Sequence, residues 1–321
     1  MTGVADDGGG PRVTIAVPMH NGVSYLEEAV ESIRAQSYRA WEAVLVDDAS
    51  TDDTYAQACR LAARDPDRIR VVRLTQNLGV AGARAVAIGQ ASPAELVALL
   101  DQDDVLSEHF LARCVALFDE HVAAGRRVGI VACDAWIFDA AGRRDGTFSD
   151  RVGWADSIDY DQMIQRNCIC ARALFSREAY DRAGGFVAET QPSDDYDLWL
   201  RMLELGYEVV TTRETLAGYR LHAHATSRDQ ARMAEGALVV HGRALRRPAP
   251  TVPQRRALRA RMRHHRALRE RARLAQALAE RRLLVAGGRA ARAGVLGSIA
   301  FMQSPSRWRE WLGDVARRPG S

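Results

Sequence analysis

Short apolar runs alternate with helix-length segments through the first half of the chain. The apolar runs cover residues 13–18, 41–48, 69–74, 95–101 and 128–138. The segments between them cover about 23–36, 51–64, 79–91 and 107–122. Runs this short and this apolar are typical of strands that are buried on both faces. The alternation predicts an α/β fold, with a Rossmann-like, mostly parallel sheet and helices on both faces.

The pattern changes in the second half of the chain. A helix is expected over 194–206 with Ser193 as its N-cap, and strand-like segments follow at 207–222. After about residue 228 the pattern becomes helical and basic. A proline-broken stretch at 246–253 precedes a long helix at about 254–285, and shorter helices are expected after Gly287-Gly288.

Composition narrows the class of protein. The 321 residues are 47% hydrophobic, which is enough for a sizeable core. We find no apolar run long enough to span a membrane, and the acidic, glycine-rich start MTGVADDGGGPR is unlike a signal peptide. We therefore expect a cytoplasmic protein. The five cysteines are odd in number and lack metal-site spacing, which favours reduced thiols in the core.

Every one of the 44 basic residues is arginine. The absence of lysine excludes Walker-type phosphate loops, Schiff-base chemistry and the usual protein-kinase lysine. Residues 231–321 carry 21 arginines against 5 acids, a net charge of +16, whereas residues 1–230 carry 23 arginines against 36 acids, a net charge of −13. Two charge regimes indicate two parts with different partners.

Polar groups follow each of the first four predicted strands. They are His20-Asn21, Asp47-Asp48, Asn77 and Asp101-Gln102-Asp103-Asp104. Because ligands of open α/β sheets bind outside the carboxyl ends of the strands, these groups form a candidate nucleotide pocket.

The three aspartates of ALLDQDDVLS, residues 98–107, repel one another at the end of a buried strand. A divalent cation that bridges them to a phosphate would make this arrangement favourable. The alternative is that they cap the helix beginning near Ser107 or are solvated, and composition alone leaves both interpretations open.

Six motifs in a fixed order carry a resemblance to a known family. They are VTIAVPMHNGVSYLEEAVESIRAQSYRAWEAVLVDDASTDDT, QNLGVAGARAVAIG, LVALLDQDDVLSEHFL, RAGGF, SDDYDLWLRMLELGY and YRLH. Together they resemble a family 2 glycosyltransferase with the GT-A fold over roughly residues 12–228. The resemblance implies an inverting enzyme that takes a sugar from a nucleoside-diphosphate donor, with UDP the commonest nucleotide.

The resemblance also implies roles for residues on the nucleotide side. Pro18, His20 and Asn21 would lie beside the base, and Asp48 would contact it. Arg84 would lie near the nucleotide and its diphosphate.

The DQDD segment carries the D-x-D motif of the family. Asp101, the first position, is expected near the ribose, with Gln102 between the two acids. Asp103 would bind the metal, Mn²⁺ or Mg²⁺, although Asp104 aligns better with the ligand of some members. His222 would lie near the metal or diphosphate, with His224 as a rival, and a structural histidine remains an alternative.

The family's catalytic base falls on the second residue of Asp194-Asp195. A base for a sugar hydroxyl should be a carboxylate held on a rigid element, and Asp195 lies in the first turn of a predicted helix. The alternative is that these acids stabilise the helix N-terminus. Asp194, which departs from the family's Glu, is placed on the acceptor or sugar side.

Three further residues are candidates for a place near the sugars, two by the same resemblance and one by its chemistry. Gly184-Gly185 resembles a turn that lets the sugar approach the backbone closely. Trp199 could form the floor of the acceptor site, because sugar faces stack on aromatic rings, but a core tryptophan fits its helix equally well.

The implied mechanism is a single displacement, in which Asp195 deprotonates an acceptor hydroxyl of a glycan, a lipid-linked intermediate or a natural product. Two alternatives are a sugar-1-phosphate nucleotidyltransferase and a non-catalytic nucleotide-sugar-binding module. The nucleotidyltransferase usually has an N-terminal glycine-rich signature with arginine and lysine, which VPMHNGVSYLEE lacks.

We divide the chain into a disordered N-terminus at 1–11, a GT-A catalytic domain at 12–228 and a basic helical region at 229–321. The catalytic domain has a nucleotide-sugar half at about 12–105 and an acceptor half at about 106–228.

The basic helices could pack on the acidic catalytic domain, contact an anionic membrane on its inner face or self-associate; no nucleic acid is expected. Packing is the first choice, because the long helix has an apolar stripe that needs a cover. The stripe contains Leu258, Leu268, Leu274 and Leu278.

Overall fold

The structure is a computed structural model that describes residues 10–153, 157–223 and 225–290, with side chains described as far as residue 278. The chain forms two compact units, residues 1–269 and residues 270–321. Within the second unit, residues 270–290 continue a helix. His224 and most of the expected disordered N-terminus lie outside the described residues, as do the short helices expected beyond residue 290.

The described residues form nine strands and ten α-helices. The strands are β1 (Val13–Met19), β2 (Trp41–Asp47), β3 (Ile69–Arg73), β4 (Leu96–Leu99), β5 (Val105–Leu106), β6 (Val128–Asp139), β7 (Arg144–Thr147), β8 (Leu174–Ser176) and β9 (Glu208–Leu221). The helices are α1 (Leu26–Arg34), α2 (Thr54–Ala62), α3 (Gly79–Gln90), α4 (Phe110–Ala123), α5 (Phe148–Val152), α6 (Tyr160–Gln165), α7 (Arg177–Ala183), α8 (Asp194–Glu204), α9 (Gln230–Arg246) and α10 (Val252–Ala290).

The strands form one sheet in the order β3-β2-β1-β4-β8-β6-β9-β5, with β7 paired to β6. The first four strands of this order are parallel. β8 is antiparallel to both β4 and β6, and β6 is parallel to β9. The predicted α/β fold, a mostly parallel sheet with helices, is confirmed.

Every residue of β1 and β2 is buried, as expected of parallel strands covered on both faces. Pro18 lies near the end of β1, where it pairs with Val46 of β2. The pairing of β1 with β4 stops at Ala16, so Pro18 has a sheet partner on one side only. A residue without an N–H is tolerated there, at the edge of the sheet, more easily than in the middle of a strand.

The alternating side chains of the central strands contribute to two apolar layers. Ile15 and Val17 pack in the layer that contains α1, α2 and α4. Ala16, Val44 and Val46 pack in the layer that contains α3, α8 and α9. The sheet is therefore the middle layer of a three-layer arrangement, and its carboxyl edge is left open for polar groups.

The helices after residue 228 pack on this second layer within the first unit. Val240 of α9 and Leu258 of α10 are fully buried in it. Asp197 of α8 is also buried. Its carboxylate binds two arginines, Arg243 of α9 and Arg247, which directly follows α9. Of the alternatives for the basic helices, these residues follow packing on the preceding part of the chain. The boundary at residue 228 stays a prediction.

Three details differ from the sequence expectations. α10 continues through Gly287-Gly288 to Ala290 without a break. Leu274 and Leu278 are exposed, so the expected apolar stripe is covered only at its beginning. The cysteines are free, but Cys59 is exposed and therefore is not a core thiol. None of the described helices is long and apolar enough to cross a membrane.

We expect Leu258→Ala to lower the free energy of unfolding by about 2–5 kcal/mol, because it leaves a cavity under α10. Leu274→Ala on the same helix is the matched control, and its effect should stay within about 0.5 kcal/mol. Urea denaturation of both variants gives the comparison. Equal losses would contradict the packing of α10 described here.

Candidate active site

The carboxyl ends of β1, β2 and β3 bring the predicted polar groups together. Nδ1 of His20 lies 2.9 Å from the carbonyl oxygen of Asp48, and Asn77 Nδ2 donates to the same oxygen at 3.2 Å. The Asn21 N–H donates to Ser50 Oγ at 3.0 Å. The loops that follow these strands are therefore fixed to one another along the edge of the sheet.

Gln102 ties the end of β4 to the same loops. Its Oε1 accepts from the His20 N–H and its Nε2 donates to the His20 carbonyl, both at 2.9 Å. The amide lies so close to Gly22 that a Cβ at this position would overlap it. Gly22 is therefore needed for close approach, and Gln102 acts on the shape of the pocket through the backbone.

Asp48 lies at the N-terminus of α3. Its Oδ1 accepts from the Leu78 N–H at 2.6 Å and its Oδ2 accepts from the Gly79 N–H at 2.8 Å. This is a stabilising position for a carboxylate, beside unpaired backbone donors and the positive end of the helix dipole. Each oxygen retains a second lone pair, so the proposed contact with a base stays a prediction.

The three aspartates after β4 have different cationic partners. Asp101 binds Arg84 Nη2 at 2.6 Å and Arg172 Nη2 at 3.4 Å. Asp104 is completely buried and also binds Arg172. Burial acts to raise the pKa of Asp101, but Arg84 and Arg172 outweigh it and lower that pKa. The buried guanidinium groups of Arg84 and Arg172 thus offset much of the repulsion among the aspartates of the DQDD segment.

Asp104 faces into the protein. Its Oδ1 accepts from the Arg220 N–H at 2.8 Å, while its other oxygen meets Arg172. Burial raises the pKa of this carboxyl, against the opposing effect of Arg172. Because Asp104 is completely buried, it is less accessible to a metal than Asp103, and the choice of ligand between the two stays a prediction.

Asp103 pairs with His222 across the site. The Asp103 Oδ2 lies 2.8 Å from His222 Nε2, and the imidazole packs on Tyr25 with ring centroids 4.9 Å apart. The two side chains are 26% and 11% exposed, so the pair is open to solvent from the Asp103 side.

The Asp103–His222 pair fits a shared divalent cation. Within the part of the chain that the structure describes, no group of three or more His, Cys, Asp or Glu could hold a metal. A carboxylate and an imidazole are nevertheless suitable for a cation that takes its other ligands from phosphate and water, as Mg²⁺ commonly does. The residues therefore fit a metal that is bound together with a diphosphate.

Arg84 connects the two acidic parts of the site. Its Nη2 binds Asp101 and its Nη1 binds Asp194 Oδ2 at 2.9 Å, and the guanidinium is almost fully buried. Burial acts to lower the pKa of Arg84, but the surrounding carboxylates outweigh it, so the pKa is raised and the group stays charged. The centroid of the Phe186 ring lies 5.8 Å from the guanidinium carbon of Arg84.

Asp195 lies one residue further on, in the first turn of α8. Burial, and secondarily the neighbouring charge of Asp194, raises its pKa to about 6. Its Oδ1 accepts from the Tyr196 N–H at 2.7 Å, which holds the carboxylate on the helix. A carboxylate whose pKa is close to neutral pH is suited to accept a proton from a hydroxyl.

Gly184 and Gly185 end α7 in left-handed conformations, with φ of 81° and 68°. Their N–H groups donate to Asp181 and Tyr180 carbonyls, so the turn is explained by the helix end and its approach to a sugar stays a prediction. Trp199 is fully buried, edge-on to Phe175 at 5.4 Å. This burial favours the alternative of a core tryptophan, and the acceptor floor stays a prediction.

Two site residues were missed by the sequence analysis. Arg172 follows the cysteines of NCICAR, where no local pattern marks a functional residue. Arg220 of YRLH packs on the Tyr25 and Phe138 rings and donates to the Asp103 carbonyl at 2.8 Å. The alternation of side chains along β9, extended by one residue, could have indicated that Arg220 and His222 point to the same face.

These amides, acids and buried arginines lie outside the carboxyl ends of the strands, which is where open α/β sheets bind their ligands. Comparison with known proteins gives the family. The model of Glycosyl transferase family 2 matches residues 14–184, more than half of the chain.

Two proteins of Bacillus subtilis (strain 168) are similar in sequence. EpsE, which is named as a glycosyltransferase, is 30% identical over 221 residues, covering 68% of this chain and 76% of EpsE. TuaG, which is named as a teichuronic acid biosynthesis glycosyltransferase, is 30% identical over 213 residues, covering 66% of this chain and 79% of TuaG.

Solved structures share the fold. The mannosyltransferase PcManGT from Pyrobaculum calidifontis, in complex with GDP-Man and Mn²⁺, has a TM-score of 0.62 and 23% identity over 95% of this chain and 82% of its own. TarS 1-349 from S. aureus, in complex with UDP-GlcNAc, has a TM-score of 0.61 and 18% identity over 77% of this chain and 70% of its own. The chain therefore belongs to glycosyltransferase family 2 and is a glycosyltransferase with the GT-A fold.

We expect Arg172→Leu to destabilise the protein by about 3–5 kcal/mol, because it leaves Asp104 buried without its partner. The double variant Arg172→Leu/Asp104→Asn should recover part of this loss, since Asn keeps an acceptor for the Arg220 N–H. Urea denaturation measures both. A double variant less stable than Arg172→Leu would show that the Asp104 charge is not what Arg172 compensates.

Proposed function

We propose that this glycosyltransferase moves a sugar from a nucleoside-diphosphate sugar to an acceptor hydroxyl, with a divalent metal and with inversion at the anomeric carbon. One observation carries the proposal. The Arg84 guanidinium binds Asp101 on the nucleotide side and Asp194, next to Asp195, on the other side, at 2.6 and 2.9 Å. Asp101, on the proposed donor side, and Asp194, beside the proposed base Asp195, are therefore held at a separation set by one rigid, planar guanidinium group.

We favour UDP, because it is the commonest donor nucleotide of the family. TarS binds UDP and UDP-GlcNAc, whereas PcManGT binds GDP-Man, so the shared fold itself is compatible with either base. For the acceptor we favour a glycan over a lipid-linked intermediate or a natural product. The support is the sequence likeness to TuaG, whose name refers to teichuronic acid biosynthesis.

In the proposed reaction, Asp195 accepts the proton of the acceptor hydroxyl as the oxygen attacks the anomeric carbon. Attack on the face opposite the leaving diphosphate inverts the configuration. Asp103 and His222 would hold the metal, Mn²⁺ or Mg²⁺, which supplies positive charge beside the departing diphosphate. Arg84, already paired with two carboxylates, positions these acids and keeps them apart.

The protonation state of Asp195 predicts the pH dependence. The base must be ionised, and its pKa of about 6 lies above the usual value for an aspartate. Donor turnover should therefore fall as the pH drops through about 6 and should level off above about pH 7.

We expect Asp195→Asn to lower the turnover of donor by about 10²–10⁴-fold, because the amide cannot accept the proton, and to abolish the acid limb near pH 6. The assay measures free nucleoside diphosphate released from a panel of UDP-, dTDP- and GDP-sugars, with water or a glycan as acceptor. Asp229→Asn, the same change at the N-cap of α9, is the matched control and should retain wild-type turnover. An unchanged pH profile in Asp195→Asn would mean that another group is the base.

We expect Asp103→Asn to lose the metal-dependent part of nucleotide binding. Calorimetric titration measures the affinity for UDP and GDP with Mn²⁺ and then with a chelator. In the wild type Mn²⁺ should raise the affinity for the nucleotide, and in the variant this increase should be smaller by at least about tenfold. Asp104→Asn should keep the metal effect, because its carboxylate faces Arg172 and the Arg220 N–H. If Asp104→Asn lost the metal effect and Asp103→Asn kept it, the assignment of the ligand would be reversed.

The nucleotidyltransferase alternative loses its support, since the chain belongs to glycosyltransferase family 2. The two reactions also differ in product. A glycosyltransferase releases a nucleoside diphosphate, whereas reversal of a nucleotidyltransferase breaks the bond between the two phosphates.

A further inference from the structure

Within the first unit, α10 presents a solvent face that carries no acid. Between Gln254 and Arg269 the chain has no Asp or Glu. The exposed residues of 256–267 are Arg256, Arg259, Ala260, Arg263, His264, Arg266 and Ala267. We call the four arginines of this set the arginine row.

The arginine row lies along one side of the helix. The spacings of three, four and three residues bring side chains to the same face, and ten residues of helix span about 15 Å. The opposite face is held by the protein, since Leu258 is fully buried and the His265 ring lies 5.3 Å from the ring of His241 on α9. Packing of α10 therefore turns the arginine row outward.

Arginines elsewhere in this region bind the protein itself. Arg255 donates to the carbonyl oxygens of Leu245 and Arg247, at 2.6 and 2.8 Å, and Arg247 binds Asp197. By contrast, no side chain of the arginine row forms an ion pair or hydrogen bond with another residue that the structure describes. Four adjacent, uncompensated cations repel one another, so their arrangement indicates an anionic partner outside this chain.

Within the first unit, α10 also carries an exposed apolar side chain beside the arginine row. Val252 is 64% exposed and precedes Arg256 by four residues, which brings the two side chains to the same face of the helix. Contact with a soluble polyanion leaves such a side chain in water, whereas an interfacial environment removes it from water. The combination of arginine and an exposed valine on one helix face therefore favours a lipid surface.

We propose that the arginine row docks this protein on an anionic membrane surface. Four or more basic side chains on a helix are enough to bind acidic headgroups, and arginine can extend its charge toward phosphate while its stem lies on lipid. A straight row on a convex helix, without Phe, Tyr or Trp among its exposed residues, fits a flat array of phosphates better than a nucleic acid, which is bound through grooves and stacking. The proposal does not depend on the transfer reaction.

The charge distribution along the chain also predicts how the protein is oriented on the membrane surface. Residues 1–230 have a net charge of −13 and are repelled by the acidic headgroups that attract the arginine row. Contact is therefore confined to the basic helix, and the acidic part of the chain stays in water.

The test is co-sedimentation of the full chain with vesicles of phosphatidylcholine alone and of phosphatidylcholine with about one third phosphatidylglycerol. We expect binding only to the anionic vesicles, weakening as salt is added. Arg259→Gln/Arg263→Gln should weaken it at least about tenfold, since each charge near the surface contributes roughly a factor of five. Arg39→Gln/Arg60→Gln removes two exposed charges elsewhere and should change binding by less than about twofold.

A further variant separates lipid from a soluble polyanion. Val252→Ser keeps every charge and should weaken binding to anionic vesicles, while leaving any binding to polyphosphate or duplex DNA unchanged. Failure to bind anionic vesicles would overturn the proposal, as would equal losses in the two arginine pairs. Tighter binding to polyphosphate or DNA than to vesicles would also overturn it, and would assign the arginine row to a polyanion.

Discussion

Compensation of the acidic carboxyl edge by buried arginines is the interaction on which the rest of this site depends. Three aspartates follow β4 within four residues, and two more begin α8. Arg84 and Arg172 lie between them, only 3% and 6% exposed. Charges taken out of water are costly unless they are paired, so removing either arginine leaves carboxylates without a counter-charge. The acidic edge and its arginines must therefore fold as one unit.

This network joins segments that are distant in the chain. Arg84 comes from α3, Arg172 lies just before β8, and Arg220 comes from β9, yet all three contact the DQDD segment. The parallel half of the sheet is thereby connected to the half that carries α8 and His222. As a result Asp103 and Asp195, the two acids with proposed chemical roles, are attached to a common rigid frame, as preorganised chemistry requires.

The first half of the fold could be predicted from the sequence, because β1 and β2 are largely apolar runs of seven residues and clear helices separate β1, β2 and β3. The second half could not. β5 has two residues and β8 three, too few for any periodic pattern, and their pairing depends on long-range contacts.

The same limit applies to the site. Order along the chain placed His20, Asp48 and Asp101 at one edge, because parallel strands share that edge. It could not separate Asp103 from Asp104, since neighbouring residues of a turn differ in direction and only the fold shows which one is buried. Nor could it distinguish the core role of Trp199 from a surface role, because both fit an amphipathic helix.

Identification of the phosphorus product of turnover would decide whether this chain transfers a sugar away from a nucleoside diphosphate. The purified protein would be incubated with UDP-, dTDP- and GDP-sugars and Mn²⁺, and the products followed by phosphorus and proton magnetic resonance. We expect a nucleoside diphosphate from one donor, together with a sugar of inverted anomeric configuration. Release of a nucleoside monophosphate, or retention of the anomeric configuration, would contradict this expectation.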